Sequence, residues 1–312
     1  FSQIDTIQLE GAGTEENPYL IHNAEEFIRA EQMWSHEGSP LPELYHYYKL
    51  ASDIYIPQNL VEEHWQTRRS GNTILYFYGN LDGDSYSLSI YDTISINFSN
   101  NRILPQTIIK SAFTYIGINK TTIKNLNITG NYTYPIFLSG YGIYAENFNN
   151  YANYNFRNFG DSIALAVFSP WGNEIYKLTN CTNYGNISSK GGTSLECCGL
   201  FLATIIDSCI NYGNISDLTS GFGIYGGLVT NSKNYGNITG TNNSLSNIFN
   251  AARFVNTFEI PHITNYSLGV CGCSWDGNGE CIRNCQNFGY IYSNVVASGF
   301  STVILHSYDI LL

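Results

Sequence analysis

Three observations predict an all-β chain wound as a right-handed parallel β-helix, a solenoid with one short N-terminal capping helix. A phrase recurs along residues 180–291, its apolar and polar residues alternate with a period of two, and the chain is poor in charge but rich in Asn, Gly and aromatics. The phrase reads Asn180-Cys181-Thr182-Asn183-Tyr184-Gly185-Asn186-Ile187, then Cys209–Ile215, Lys233–Ile238, a weak copy at Asn265–Leu268, and Cys285–Ile291. Its aromatic positions, 184, 212, 235, 266 and 288, are separated by 28, 23, 31 and 22 residues. Repetition at 20–50 residues marks units that bury their apolar side only by stacking on one another. Residues 1–47 are expected to form an N-terminal strand and the capping helix. Residues 48–312 are expected to form the coil, continuous with the cap as a single domain.

Within the phrase, Cys181, Asn183, Gly185 and Ile187 share one parity, while Thr182, Tyr184, Asn186 and Ser188 share the other. That alternation is the strand signal. It points the Ile column (187, 215, 238, 291) inward. The Asn column (183, 211, 234, 287) falls at a bend, where stacked amides can bond from rung to rung. Gly185, Gly213, Gly236 and Gly289 are expected to supply the backbone freedom of that bend. A second strand must precede each phrase, with candidates at 163–168, 199–205, 226–230 and 248–255. Parallel crossovers are almost always right-handed, and successive rungs should lie about 4.8 Å apart.

Taken in order, Phe1–Glu10 reads as an extended strand carrying Ile4, Ile7 and Leu9. Asn23 caps a helix running through Trp34, Glu26 completes a capping box, and Ala24, Phe27, Ile28 and Glu31 gather near one face. This helix is expected to lid the first coil, because the end of a β-helix exposes apolar surface and unpaired strand edges. Residues 116–130 form a rung marked by Ile123, Leu126 and Ile128. Residues 134–161, dense in Asn and Tyr, read as a protruding loop. Beyond Ile291 the chain turns apolar, with Val303, Ile304 and Leu305 and then Ile310, Leu311 and Leu312.

Gly226-Gly227-Leu228-Val229 leading into Asn234–Ile238 resembles the GLUG-type repeat of bacterial and archaeal surface proteins, and Cys198-Gly199-Leu200-Phe201 before Cys209–Ile215 is a looser copy. The resemblance spans roughly residues 160–292. Gly11–Ile21, the Leu50-x-x-Asp53-Ile54 strand and the Phe77–Gly83 turn are similar to the opening rungs of surface β-helix domains. The resemblance implies a β-helix of adhesin type at the cell surface and says little of activity.

Fourteen Lys and Arg against 25 Asp and Glu give a net charge of −11. No basic stripe exists to neutralise phosphates, so nucleic acid is not an expected partner. No apolar run of about 18 residues suggests a membrane span, and neither signal peptide nor initiating Met is present, as in a processed extracellular product. Ten Asn-X-Ser/Thr sequons occur, at Asn97, Asn119, Asn127, Asn131, Asn180, Asn186, Asn214, Asn237, Asn242 and Asn265. The shared outward parity of Asn186, Asn214 and Asn237 favours glycosylation at the surface. Eight cysteines suit an oxidising compartment. Disulfide candidates are Cys181 with Cys209 on adjacent rungs, and Cys271, Cys273, Cys281 and Cys285; buried thiols are the alternative. The spacing of the last four departs from C-x₂-C pairs, so no metal is expected there. Asp82-Gly83-Asp84 carries two carboxylates that could hold calcium, although Asp and Gly also close ordinary tight turns.

No catalytic constellation can be assembled. Asp207, Asp217, Lys190, Lys233 and Arg157 share no column, the six His are scattered, and HExxH, a nucleophile elbow and a phosphate loop are all absent. No cofactor is implied. The expected function is that of an extracellular structural or adhesive glycoprotein, with a self-assembling filament subunit as one form of it. Its partner would be a second copy, joined end to end through Phe1, Ile4, Ile7 and Leu9 at one end and Val303, Leu305 and Leu311 at the other. The alternatives are a carbohydrate-binding module, whose platform for surface glycans would be Tyr184, Tyr212 and Tyr235, and a polysaccharide-degrading β-helix enzyme.

Overall fold

The computed structural model describes residues 3–37, 45–60, 63, 75–77, 79–91, 113–117, 121–132, 137–139, 143–157, 163–166, 168–170, 177–190, 195–217, 220–240, 266–274, 282–293 and 296–304. They build an all-β, parallel-strand stack. The chain returns to the same sheets turn after turn, so strands of successive turns become neighbours. The longest sheet begins with Tyr19–Ile21 and ends with Val296–Ile304; a second runs from Ile54–Ile56 to Gln286–Asn287; a third runs from Asn131–Tyr132 to Ile291–Ser293. Every pairing in these three is parallel. A fourth sheet, from Ser35–Glu37 to Phe168–Pro170, contains one antiparallel pair, Ser35–Glu37 with Leu75–Phe77.

The phrase stacks on itself in register, with Asn183 opposite Asn211, Asn211 opposite Asn234, and Asn234 opposite Asn287. Ile187, Ile215 and Ile238 are at most 1% exposed and form a continuous inner column. The opposite parity, Tyr184 and Asn186, is exposed. The stack reaches further toward the N-terminus than the recurring phrase suggests. Asn147–Tyr154 is a full rung in which Ala152 stands in the glycine slot and Tyr154 in the isoleucine slot, and Asn125–Tyr132 is another. Much of the segment expected to protrude, residues 134–161, is therefore strand: Phe137–Ser139, Ile143–Glu146, Asn149–Asn150 and Asn153–Arg157. Conversely, Tyr266 does not open a copy of the phrase. It begins the strand Tyr266–Ser274 in the longest sheet, and the Cys285 rung lies directly on the Lys233 rung. The candidate strand at 248–255 lies outside the described residues.

The bend itself uses a different residue from the one expected. Ser85, Asn125, Asn147, Asn180, Ser208, Asn231 and Asn284 occupy one column, all left-handed, with φ between 50° and 69°. Asn is among the few residues that adopt this conformation readily. Gly185, Gly213, Gly236 and Gly289 do not have positive φ. They are needed for clearance: a Cβ on any of them would lie 1.8–1.9 Å from a carbonyl oxygen of the rung before.

The helix forms as read, over Ala24–Trp34. Asn23 Oδ1 accepts the Glu26 N–H at 2.9 Å, while Glu26 turns back to the His22 N–H at 2.7 Å. Phe27, Ile28, Ala30 and Glu31 are fully buried against the first coil. The expected strand at Phe1–Glu10 is a correction. Gln3–Thr6 is a 3₁₀ turn, with the Ile7 N–H donating to Ile4 O at 3.0 Å, and Ile4 is 5% exposed. Ile4 and Ile7 are three apart, a spacing that the 3₁₀ turn eclipses onto one side. Arg29 Nε then ties the segment down by donating to Ile7 O at 3.2 Å. Val303 lies in the final described strand of the longest sheet; Phe1, Leu305 and Leu311 are outside the described residues.

Candidate functional site

Because one parity of each rung points outward, the wall carries columns of like residues about 4.8 Å apart. The most prominent is aromatic: Tyr151, Tyr184, Tyr212, Tyr235 and Phe288 stack at centroid separations of 4.7, 5.2, 4.9 and 4.7 Å, with planes within 9° of parallel. Each ring is 37–59% exposed. That exposure is of ring edges, because within the ladder each flat face is covered by the neighbouring ring. Burial by these neighbours, followed by the proximity of Tyr151 and Tyr212, raises the Tyr184 phenol above its ordinary value. Sugars dock on the flat face of an aromatic ring through their C–H groups, so Tyr184, Tyr212 and Tyr235 do not form the platform expected of them.

One step along the turn runs a column of amides. The Asn186 N–H donates to Asn153 Oδ1, Asn214 N–H to Asn186 Oδ1, Asn237 N–H to Asn214 Oδ1, and Tyr290 N–H to Asn237 Oδ1, all at 2.9–3.0 Å. The Nδ2 atoms of Asn186, Asn214 and Asn237 have no partner among the described residues, and the three residues are exposed. Asn131 heads this column and is exposed too. Asn127 differs, because its Nδ2 donates to Ser85 O at 2.6 Å. Asn180 stands in the left-handed column. Asn97, Asn119, Asn242 and Asn265 lie outside the described residues.

Behind these columns is a buried amide ladder. Each Nδ2 donates forward, from Asn150 to Asn183, Asn211, Asn234 and Asn287 in turn, always at 2.7 Å. Its second hydrogen goes to a carbonyl two residues along its own chain. The adjacent inner slot holds Cys181, Cys209, Ser232 and Cys285. Cys181, Cys209 and Cys285 are free thiols, which corrects the expected disulfide between Cys181 and Cys209. The reason is what the slot demands. Just past the left-handed bend, the Cys181 N–H needs an acceptor and finds Cys209 Sγ at 3.4 Å; the Cys209 N–H finds Ser232 Oγ at 3.1 Å. The thiols donate in turn to carbonyls, Cys181 to Thr179 and Cys209 to Asp207. Cysteine serves here as a compact hydrogen-bonding residue, as Ser232 does, and burial pushes the Cys209 thiol well above its ordinary value. Cys271 and Cys273 lie in the strand Tyr266–Ser274, and Cys281 is outside the described residues.

The carboxylates are engaged in turns. Asp82 Oδ1 accepts from the Asp84 N–H and from Asn125 Nδ2, while Lys124 and Lys49 pair with Asp82 and Asp84 at 3.3 and 3.0 Å. Two lysines at this turn favour the turn reading over a calcium loop. Among the described residues no group of three His, Cys, Asp or Glu could hold a metal ion. Arg157 and Lys190 turn out to be register partners, contrary to the expectation that the five scattered charges share no column, because the segment between their strands closes one whole turn. Asp217 pairs with Gly240 and Lys233 with Gln286, and among the described residues neither Arg157 nor Lys190 has a carboxylate as register partner.

Burial is the largest influence on Asp82 and raises its pKa, but the amide of Asn125, the Asp84 N–H and Lys124 together hold it below its ordinary 3.8. Asp207 is lowered chiefly by the Thr230 hydroxyl, which outweighs its slight burial, with help from Asn231, Ser208 and Lys177. Both folded values lie below the unfolded one. Their stabilisation is therefore complete above about pH 3.8 and disappears as pH falls through the folded values. A thermal melt should hold its midpoint from pH 7 to pH 5 and lose it below pH 4. Asp82→Asn should flatten that acid limb, and an unaltered limb in this variant would contradict the assignment.

The geometry defines a class, an all-β protein of stacked parallel strands with ordered polar and aromatic columns on its wall. No family model and no curated protein matches the chain. Among solved structures it is similar to a Bacteroides ovatus protein described as a candidate immunoglobulin A1 protease. That similarity is at 17% identity and a TM-score of 0.47, over 97% of this chain and 81% of that one. No helix among the described residues is long and apolar enough to cross a membrane.

Proposed function

We propose that the chain is an extracellular structural or adhesive glycoprotein, built on a right-handed parallel β-helix of the kind found in GLUG-repeat surface proteins. One observation carries this reading: the exposed column of Asn186, Asn214 and Asn237, where the backbone of the next rung fixes each Oδ1 and leaves Nδ2 pointing to solvent. Nδ2 is the atom a glycan joins, so attachment breaks no hydrogen bond of the wall. Rungs about 4.8 Å apart are closer than two sugars can sit side by side. Neighbouring sites therefore compete, and the pattern expected is Asn186 with Asn237, or Asn214 alone. Asn127 stays bare because its amide is already engaged.

Intact mass spectrometry of the protein from its native source, before and after enzymatic deglycosylation, tests this. The expected mass exceeds the 34.9 kDa of the bare chain, with modification mapped to Asn186, Asn214 or Asn237. A bare mass would refute the glycoprotein reading. End-to-end association belongs to the same proposal, since the long strand Val296–Ile304 pairs on one side alone among the described residues. Ile4 does not contribute to such a contact, because it is buried in the protein's own fold.

A further inference from the structure

We propose that the wall carries a slot for neutral carbohydrate between Tyr55 and Tyr151, floored by Ser89 and Thr129. The aromatic ladder does not stop at Tyr151 for want of further rungs. Tyr55 is the register partner of Ser89, and Leu88, Ile128 and Asn150 are successive partners. The residues that follow them, Ser89, Thr129 and Tyr151, therefore continue one column. The backbone confirms the register, with Thr129 N–H donating to Leu88 O at 3.1 Å and Tyr151 N–H to Ile128 O at 2.8 Å. The column thus reads Tyr55, Ser89, Thr129, Tyr151, and then the stacked rings. Two small hydroxyl residues stand where two rings are missing, and the flanking tyrosines are three rungs, about 14 Å, apart.

This gap provides what the rest of the ladder lacks. Tyr151 is covered on one side by Tyr184, lying parallel at 4.7 Å, and its other face looks over Thr129. Tyr55 is 56% exposed and meets no ring among the described residues. An aromatic face is the negative side of the ring quadrupole, and it attracts the weakly positive C–H face of a pyranose. Polar groups line the same side two residues away. Asp53 uses Oδ1 to accept the Ser87 N–H at 2.7 Å, leaving Oδ2 for a ligand. Asn149 donates through Nδ2 to Asn127 at 3.0 Å, leaving its Oδ1 for a ligand. Aromatic faces with a few fixed acceptors make a sugar site. On the four rungs of the slot neither column contains Lys or Arg, Lys233 lying three rungs beyond Asn149, and Asp53 contributes a negative charge, so the slot selects uncharged sugars over uronates or sulfated glycans.

The double variant Ser89→Tyr/Thr129→Tyr is the discriminating one, since it fills both open rungs of the slot by continuing the stack that the fold already supports. The full chain, produced without glycosylation, is titrated with cellohexaose, chitohexaose and mannohexaose, and with hexagalacturonate as the anionic comparison; binding is read by saturation-transfer NMR. Transfer to at least one neutral hexaose is expected. Ser89→Tyr/Thr129→Tyr and Tyr151→Ala should each weaken it roughly tenfold, with melting checked for both, and Tyr212→Ala in mid-ladder should leave it unchanged. Absence of transfer from every neutral hexaose would overturn the proposal. So would stronger binding of hexagalacturonate, binding that survives Ser89→Tyr/Thr129→Tyr, or an equal loss in Tyr212→Ala.

Discussion

Asn211→Leu should lower the free energy of unfolding by about 4 kcal/mol. The side chain is fully buried and makes three hydrogen bonds, accepting from Asn183 and donating to Asn234 and to Gly213 O. Leucine is of similar size but restores none of these. One hydrogen of Asn183, Oδ1 of Asn234 and the Gly213 carbonyl each lose a partner where water cannot replace it. Orphaned buried groups cost about 1–3 kcal/mol apiece, and the added apolar contact offsets part of the sum. Urea unfolding followed by tryptophan fluorescence measures the loss, and a change under about 1 kcal/mol would show that the ladder is ornamental. Asn287→Leu provides the internal comparison: at the half-buried end of the ladder it should cost less than half as much.

Gly213→Ala should cost about 3 kcal/mol, against the usual slight gain when a compatible glycine becomes alanine. Its φ is ordinary, so no backbone strain opposes the change; the obstacle is space. The new methyl would lie 1.9 Å from Gly185 O and 2.6 Å from Asn183 Nδ2. Neither atom can yield cheaply, since Asn183 Nδ2 donates to that same carbonyl at 3.0 Å. The rungs must part, and the loss should match the upper range for overpacked cores. Calorimetry reads the effect directly, and an unchanged or raised midpoint would remove the clearance argument. Ala152 occupies the equivalent slot in the Asn147–Tyr154 rung, where the residue before it in the stack, Gly130, has an unusual φ of +128°.

The parity of the phrase was legible in residues such as Ile187, Asn183 and Tyr184, because a strand with one buried face writes its geometry into every second position. The helix cap was legible for a similar reason: Asn23 and Glu26 act within four residues. What was hidden depends on contacts between rungs. The left-handed column mixes five Asn with two Ser, so no one letter marks it, although an Asn or Ser three residues before each buried Asn was the available signal. The Asn147 rung was masked by Ala152 and Tyr154, which satisfy its slots with different letters. The cysteine slot looked like covalent chemistry because nothing in one rung says that the preceding N–H lacks an acceptor. The sugar slot depends on four residues, Tyr55, Ser89, Thr129 and Tyr151, that become neighbours only through the register.

Consecutive members of the buried amide ladder are 33, 28, 23 and 53 residues apart in the chain, yet every link is 2.7 Å long. Spacing through the bonded wall is held constant while the length of chain between contacts more than doubles. Such a molecule can accept insertions or deletions between its phrases at little cost, since the cost of loop closure grows only slowly with length. A single-residue insertion inside a phrase, by contrast, would turn that rung's buried amide to solvent or its tyrosine inward and break the ladder there. Changes in length are thereby confined to the stretches of chain between phrases, while the bonded wall keeps one spacing throughout.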